Sequence, residues 1–134
     1  MKFIPKWLFE GVDGATRSEI LRWWESRRFY YNLYVGLVGI ITWLLVLIAG
    51  SAAVRPGVDF EEPIAMIFGP LLYGLMANLC YSLGWGYDLL FFRGKARVCL
   101  FKIGLYFSLI LTALPGLWAV IAWSVTVVTG KKMD

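Results

Sequence analysis

The sequence predicts an all-α integral membrane protein, a small helical bundle of three transmembrane helices preceded by an amphipathic interfacial helix. Of its 134 residues, 60% are hydrophobic, and the mean hydropathy is +0.69. Both values are far above those of an ordinary soluble domain. Three long runs, 29–54, 63–87 and 103–130, contain no charged residue. Each run exceeds the roughly 20 residues that a helix needs to cross a hydrocarbon core of about 30 Å.

Residues 1–29 are expected to form a cytoplasmic and interfacial N-terminal segment. Thr16-Arg17-Ser18-Glu19 has the pattern of a capping box, in which the Thr and Glu side chains satisfy free amides at a helix start. We therefore expect an amphipathic helix to begin at about residue 17. An aromatic cluster typical of the membrane–water interface follows, formed by Trp23, Trp24, Phe29, Tyr30, Tyr31 and Tyr34.

The bundle itself is expected over residues 30–129, followed by a short tail. The predicted spans are about 31–53, 64–86 and 99–129, and the tail is 130–134. Pro63 suits the first turn of the second helix. Pro70 lies inside that helix and predicts a kink.

The third run makes the number of spans ambiguous. Leu114-Pro115-Gly116-Leu117 matches a type II turn, and a hairpin at Pro115-Gly116 would give four spans. It would also return Lys131 and Lys132 to the cytoplasm, as the charge rule prefers. However, it would split the run into halves of about 14 residues, and a span needs roughly 17. We therefore favour one kinked span, with the carbonyl that proline frees satisfied by neighbouring groups.

Basic residues cluster at the ends of the apolar runs, so no nucleic-acid partner is expected. They precede the first run and separate the second from the third, whereas the first loop carries Arg55 with three acidic residues. This bias predicts a cytoplasmic N-terminus and 93–97 loop. The expected location is the inner (plasma) membrane of a bacterium. The side chains expected to contact lipid headgroups are Arg22, Arg27, Arg28, Arg93, Lys95 and Arg97.

No residue pattern indicates catalysis. The sequence contains no histidine, which is the commonest general base and a frequent zinc ligand. Cys80 and Cys99 lack the spacing of a metal or redox motif. A Ser-Lys pair is also disfavoured, because Lys102 and Ser108 lie on different helix faces. We expect no enzyme activity, no metal site and no cofactor.

Polar side chains along the second and third runs form the main candidate site. Asn78 lies near the middle of the second span, and an amide at that depth needs a hydrogen-bond partner. The available partners are Thr42, Ser108 and Thr112. Asp88 shares its face and is expected to pair with Arg93 or Lys95 at the surface. The candidates for an interhelical hydrogen-bonding or pore-lining role are Asn78, Ser82, Ser108 and Thr112.

Glycines form a second candidate surface. Gly36, Gly39 and Gly74 lie on faces where small residues let a neighbouring helix come close. The leading hypothesis is a noncatalytic membrane subunit in the lipid bilayer that self-associates as a homo-oligomer or binds a membrane protein partner. The alternative is an oligomeric pore, channel or transporter component with a polar lining from the second and third spans.

Overall fold

The computed structural model describes residues 5–11, 16–93, 95 and 97–132. A short 3₁₀ turn at Lys6–Phe9 precedes three long helices. They are α1 at Arg17–Ala53, α2 at Pro63–Phe92 and α3 at Arg97–Thr129. All three are long and apolar enough to cross a membrane, which confirms the predicted number of helices. The predictions for residues 1–4, 12–15 and 133–134, in the N-terminal segment and the tail, lie outside the described residues.

The helix starts follow the local sequence. The Thr16 amide donates to Glu19 Oε2 over 2.6 Å, and the Glu19 amide donates to Thr16 Oγ1 over 3.4 Å, so the predicted capping box forms. The predicted interfacial helix is not a separate element. Its residues form the first turns of α1, which continues to Ala53. Pro63 occupies the first turn of α2.

The helix ends are less regular than the sequence predicts. α1 passes through a π-helical turn, Val46–Gly50, and α2 ends in a second one, Asp88–Phe92. α2 therefore continues beyond its predicted end at about residue 86. It stops at Arg93, whose φ of 51° places it in the left-handed region.

Neither internal proline ends a helix. α2 is continuous through Pro70, and α3 is continuous through Pro115. The alternative of a hairpin at Pro115-Gly116 is therefore wrong. Gly116 has a different role: a Cβ atom on it would lie 3.1 Å from the Cα of Thr42 in α1. Glycine at this position lets the backbones of α1 and α3 approach closely.

α1 and α3 pack along most of their length, whereas α2 joins them mainly at one end. We call the end where α1 begins and α2 finishes the N-terminal end, and the end with residues 54–62 the loop end. Within α2, only Ala77, Tyr81 and Asp88 are buried, and all three lie towards the N-terminal end. α2 therefore diverges from α1 towards the loop end.

The core lies at the N-terminal end and is largely aromatic. The ring of Trp24 meets those of Tyr81 and Phe101 edge to face, with centroids 5.3 and 6.0 Å apart. Leu8 of the 3₁₀ turn is fully buried against this cluster. The described part of the N-terminal segment therefore contributes to the core.

Candidate functional site

A cluster of hydroxyl groups joins all three helices near the middle of the bundle. The hydroxyls of Tyr31 in α1 and Ser108 in α3 hydrogen-bond over 2.7 Å. The Tyr31 hydroxyl also donates to the carbonyl of Ala77 in α2 over 3.3 Å. Tyr31 thus connects both neighbouring helices from a buried position. The polar role predicted for Ser108 thus involves Tyr31, for which the sequence predicts only a place in the interfacial aromatic cluster.

A second tyrosine completes this cluster. The Tyr73 hydroxyl donates to the Ser108 carbonyl over 2.9 Å. The Thr112 hydroxyl lies 2.8 Å from the Tyr73 oxygen and 2.5 Å from the Ser108 carbonyl. The predicted polar residues Ser108 and Thr112 therefore lie together and bond across to α2. Tyr73 was missed because a single tyrosine in an apolar run carries no pattern of its own.

Asn78 is bonded to a residue that the sequence analysis did not consider as its partner. Its Nδ2 donates to Asn32 Oδ1 over 2.8 Å, and Asn32 Nδ2 donates to Asn78 Oδ1 over 3.1 Å. Asn78 Nδ2 also donates to the Gly74 carbonyl over 3.0 Å. The expected partners Thr42, Ser108 and Thr112 are thus replaced by Asn32. The signal that could have found it was its position on the Gly-rich face of α1.

Ser82 lies one turn closer to the N-terminal end. Its hydroxyl donates to the Asn78 carbonyl over 3.0 Å and accepts from Arg28 Nη2 over 3.1 Å. Arg28 also forms an ion pair with Glu25, with 2.7 Å between Nη2 and Oε1. The guanidinium of Arg28 therefore joins α1 to α2, in addition to any contact with headgroups.

Arg27 has a structural environment that differs from the predicted headgroup contact. Its side chain is 7% exposed. Nε donates to the Leu8 carbonyl over 2.9 Å, and Nη2 donates to the Trp7 carbonyl over 2.7 Å. The guanidinium carbon lies 4.0 Å from the ring centroid of Trp23. The donors of Arg27 are therefore used inside the protein, where they hold the N-terminal segment against α1.

The other predicted headgroup residues divide into buried and exposed groups. Arg97 is 3% exposed, and its guanidinium carbon lies 5.7 Å from the Trp23 ring centroid. This burial disagrees with a headgroup contact for Arg97. Arg22, Arg93 and Lys95 are exposed at the N-terminal end, so their headgroup contacts stay predictions.

Asp88 is buried instead of paired at the surface with Arg93 or Lys95. It is 0% exposed, and its Oδ2 accepts a hydrogen bond from Trp24 Nε1 over 3.1 Å. Oδ1 has no hydrogen-bond partner among the described residues. Asp88 follows Tyr81 by seven residues, about two helical turns, and therefore lies on the same buried face of α2.

A groove of about 890 Å³ lies between α1 and α2. Its walls are formed by residues 32–46 and 65–77, with Leu111, Thr112 and Pro115 of α3 at its base. The Asn32–Asn78 pair closes it towards the N-terminal end. Towards the loop end, Trp43 Nε1 reaches across from α1 and donates to the Met66 carbonyl over 3.1 Å. The groove is therefore a largely apolar space between α1 and α2, bridged by these two side-chain contacts, and its lining extends past the Trp43 bond to Glu61.

The glycines of the predicted packing face line this groove. A Cβ atom on Gly36 or Gly74 would meet no atom within 4 Å, and one on Gly39 would lie 3.7 Å from Thr112 Cγ2. Within one chain, Gly36 and Gly74 therefore leave open space instead of allowing a close helix contact. The close contact lies elsewhere, at Gly116 and Thr42.

The fold and these contacts define a bundle of three membrane-length helices with a polar, hydrogen-bonded middle and an open apolar groove. Among the described residues, no group of three or more His, Cys, Asp or Glu side chains is placed to hold a metal ion. No protein family, curated protein or solved structure shows significant similarity to this chain.

Proposed function

We propose that this chain is a noncatalytic integral membrane subunit that binds an apolar membrane partner in the groove between α1 and α2. The observation that carries the proposal is the open space above Gly36 and Gly74. Glycines on apolar helices let another membrane component approach the backbone. The volume of about 890 Å³ also falls within the roughly 300–1,000 Å³ of ligand-binding clefts.

The proposed orientation places the N-terminal end in the cytoplasm and the loop end outside the plasma membrane. The N-terminal end carries the exposed basic residues Arg22, Arg93 and Lys95. By the positive-inside rule, they support this orientation. The opposing loop, 54–62, carries Asp59, Glu61 and Glu62 against Arg55. In this orientation the end of the groove that Glu61 lines faces the outside.

The hydrogen bonds of the bundle favour binding over the pore alternative. The side chains of Asn78, Ser108 and Thr112 bond to groups on neighbouring helices or to their own helix. A water-filled path needs polar groups that face the lumen. Because these groups are satisfied inside one chain, they serve best as interhelical bonds.

Site-specific photo-crosslinking in native membranes tests the proposal. A benzophenone amino acid replaces Ile40, which lines the groove and is 60% exposed. The matched control replaces Phe107, which is 64% exposed on α3 and lies outside the groove. We expect a discrete adduct, either protein or lipid, at position 40 and a diffuse set of lipid products at position 107.

Blocking the groove provides the second arm of this experiment. The double variant Gly36→Leu/Gly74→Leu places side chains in the open space and should abolish the discrete adduct. Gly104→Leu is the matched control, since a Cβ atom at Gly104 also meets nothing within 4 Å and Gly104 lies outside the groove. Indistinguishable products at positions 40 and 107 would show that the groove has no specific partner.

A further inference from the structure

The partner that fits the groove is set by the two points where α1 and α2 are joined. One is the Asn32–Asn78 pair, and the other is the bond from Trp43 to the Met66 carbonyl. Met66 and Asn78 are separated by about 18 Å along α2, at roughly 1.5 Å per residue. The two bonds therefore bridge the groove at two points within the thickness of the bilayer, and its lining continues past the Trp43 bond to Glu61.

A transmembrane helix does not fit into the groove between α1 and α2. A helix with its side chains is about 10–12 Å wide, and it runs for about 30 Å through the hydrocarbon core. To lie between α1 and α2, it would have to continue past both Asn32–Asn78 and Trp43. It would therefore break the paired amides, the Trp43 hydrogen bond or both, leaving polar groups unsatisfied in the membrane.

A single hydrocarbon chain can occupy the groove without breaking the Asn32–Asn78 pair or the Trp43 hydrogen bond. The acyl chains of one leaflet fill about 15 Å, which is half of the hydrocarbon core. This length is close to the distance of about 18 Å between the two bonds that bridge the groove. Such a chain is narrow enough to enter sideways from the lipid between Gly36 and Gly74. The hydroxyls of Tyr73 and Thr112 at the base of the groove bond to each other, so they require no polar ligand.

We propose that the groove holds one acyl chain of a phospholipid from the leaflet at the loop end. The proposal rests on the proposed function, because it names the apolar partner of the same groove. The lipid is retained when the surrounding lipids exchange, since α1, α2 and the base of α3 all contact its chain along the groove. Gly36 and Gly74 provide the space that the chain occupies.

The headgroup environment guides the choice of probe. Glu61 lines the groove at the loop end, and Asp59 and Glu62 lie in the same loop. An anionic headgroup would be repelled by these carboxylates at short range. The probe is therefore a zwitterionic phosphatidylethanolamine with two oleoyl chains.

Native mass spectrometry of the full chain in mild detergent tests this inference. We expect one phospholipid to remain bound to each wild-type chain after detergent washing. Delipidated protein should recover it from added dioleoyl phosphatidylethanolamine. The Gly36→Leu/Gly74→Leu variant should lose at least about tenfold in bound lipid, a change equal to roughly 1.4 kcal/mol. Gly104→Leu should retain the lipid.

The crosslink at position 40 tests the inference even if the double leucine variant fails to fold, because it leaves both glycines in place. A discrete adduct with the mass of one phospholipid supports the inference. A protein adduct, from a second copy or another membrane protein, would overturn the inference that a lipid occupies the groove but would uphold the proposed function. Absence of any discrete adduct would overturn both. Lipid retention that the double leucine variant does not reduce would also overturn the inference.

Discussion

Trp24 Nε1 donates a hydrogen bond to Asp88 Oδ2 over 3.1 Å and so joins α1 to the end of α2. Asp88 is fully buried, and its other carboxylate oxygen has no partner among the described residues. A buried carboxyl group that has lost its water is stabilised by whatever donors remain. The indole of Trp24 therefore stabilises the end of α2 by a hydrogen bond in addition to its aromatic packing.

Replacing Trp24 tests this relationship. We expect Trp24→Phe to lower the free energy of unfolding by about 1–3 kcal/mol, because Asp88 loses its donor while most ring packing is retained. Thermal unfolding in detergent measures the loss. In an Asp88→Leu background, where no acceptor is present, the same change should cost much less. Equal losses in both backgrounds would show that the hydrogen bond contributes nothing.

The close approach of α1 and α3 leads to a second prediction. A Cβ atom on Gly116 would lie 3.1 Å from Thr42 Cα and 3.3 Å from Leu45 Cδ1, so Gly116→Ala should force the two helices apart. Overpacking of this kind costs about 1–3 kcal/mol, and a lower unfolding temperature would report it. Gly104→Ala is the control, because its methyl group meets open space. If both variants are equally stable, Gly116 does not set the helix separation.

The paired amides of Asn32 and Asn78 lead to a third prediction. Single replacements by Leu leave the remaining amide without its partner, whereas the double replacement removes both. A double-mutant cycle on the free energy of unfolding should therefore give a coupling of about 0.6–1.7 kcal/mol, between the average and the maximum known for interhelical hydrogen bonds in a membrane protein. A coupling near zero would mean that the two amides act independently.

The architecture of the bundle was largely predictable from charge and length. Charge-free runs identify membrane-length helices because a charged group is costly in hydrocarbon, and the structure confirms three of them. The capping box at Thr16 was also correct, since it depends only on neighbouring residues. At Pro115 the length argument gave the right result. The signal of a turn there came from Gly116, which is needed instead for contact with Thr42.

The partners of individual side chains were not predictable in the same way. Helical periodicity places Asn78 on a face but does not give the rotation of α1 that brings Asn32 opposite it. That rotation is coupled to the aromatic packing of Trp24 and Tyr81, which involves residues far apart in sequence. Asp88 was misjudged for a similar reason. Helical spacing gave its face correctly, but it does not show that Trp24 of α1 covers that face and supplies the hydrogen-bond donor.

Arg27 provides the last prediction, because it links the N-terminal segment to α1. We expect Arg27→Lys to weaken this link, since an ammonium group lacks the planar fork that bonds two carbonyls and stacks on Trp23. Hydrogen exchange at the Leu8 and Glu10 amides, which close the 3₁₀ turn, should accelerate about tenfold, or roughly 1.4 kcal/mol. Arg28→Lys, which alters a partly exposed ion pair, is the control and should leave this exchange unchanged. Unchanged exchange in Arg27→Lys would show that the guanidinium is not needed to hold the segment in place.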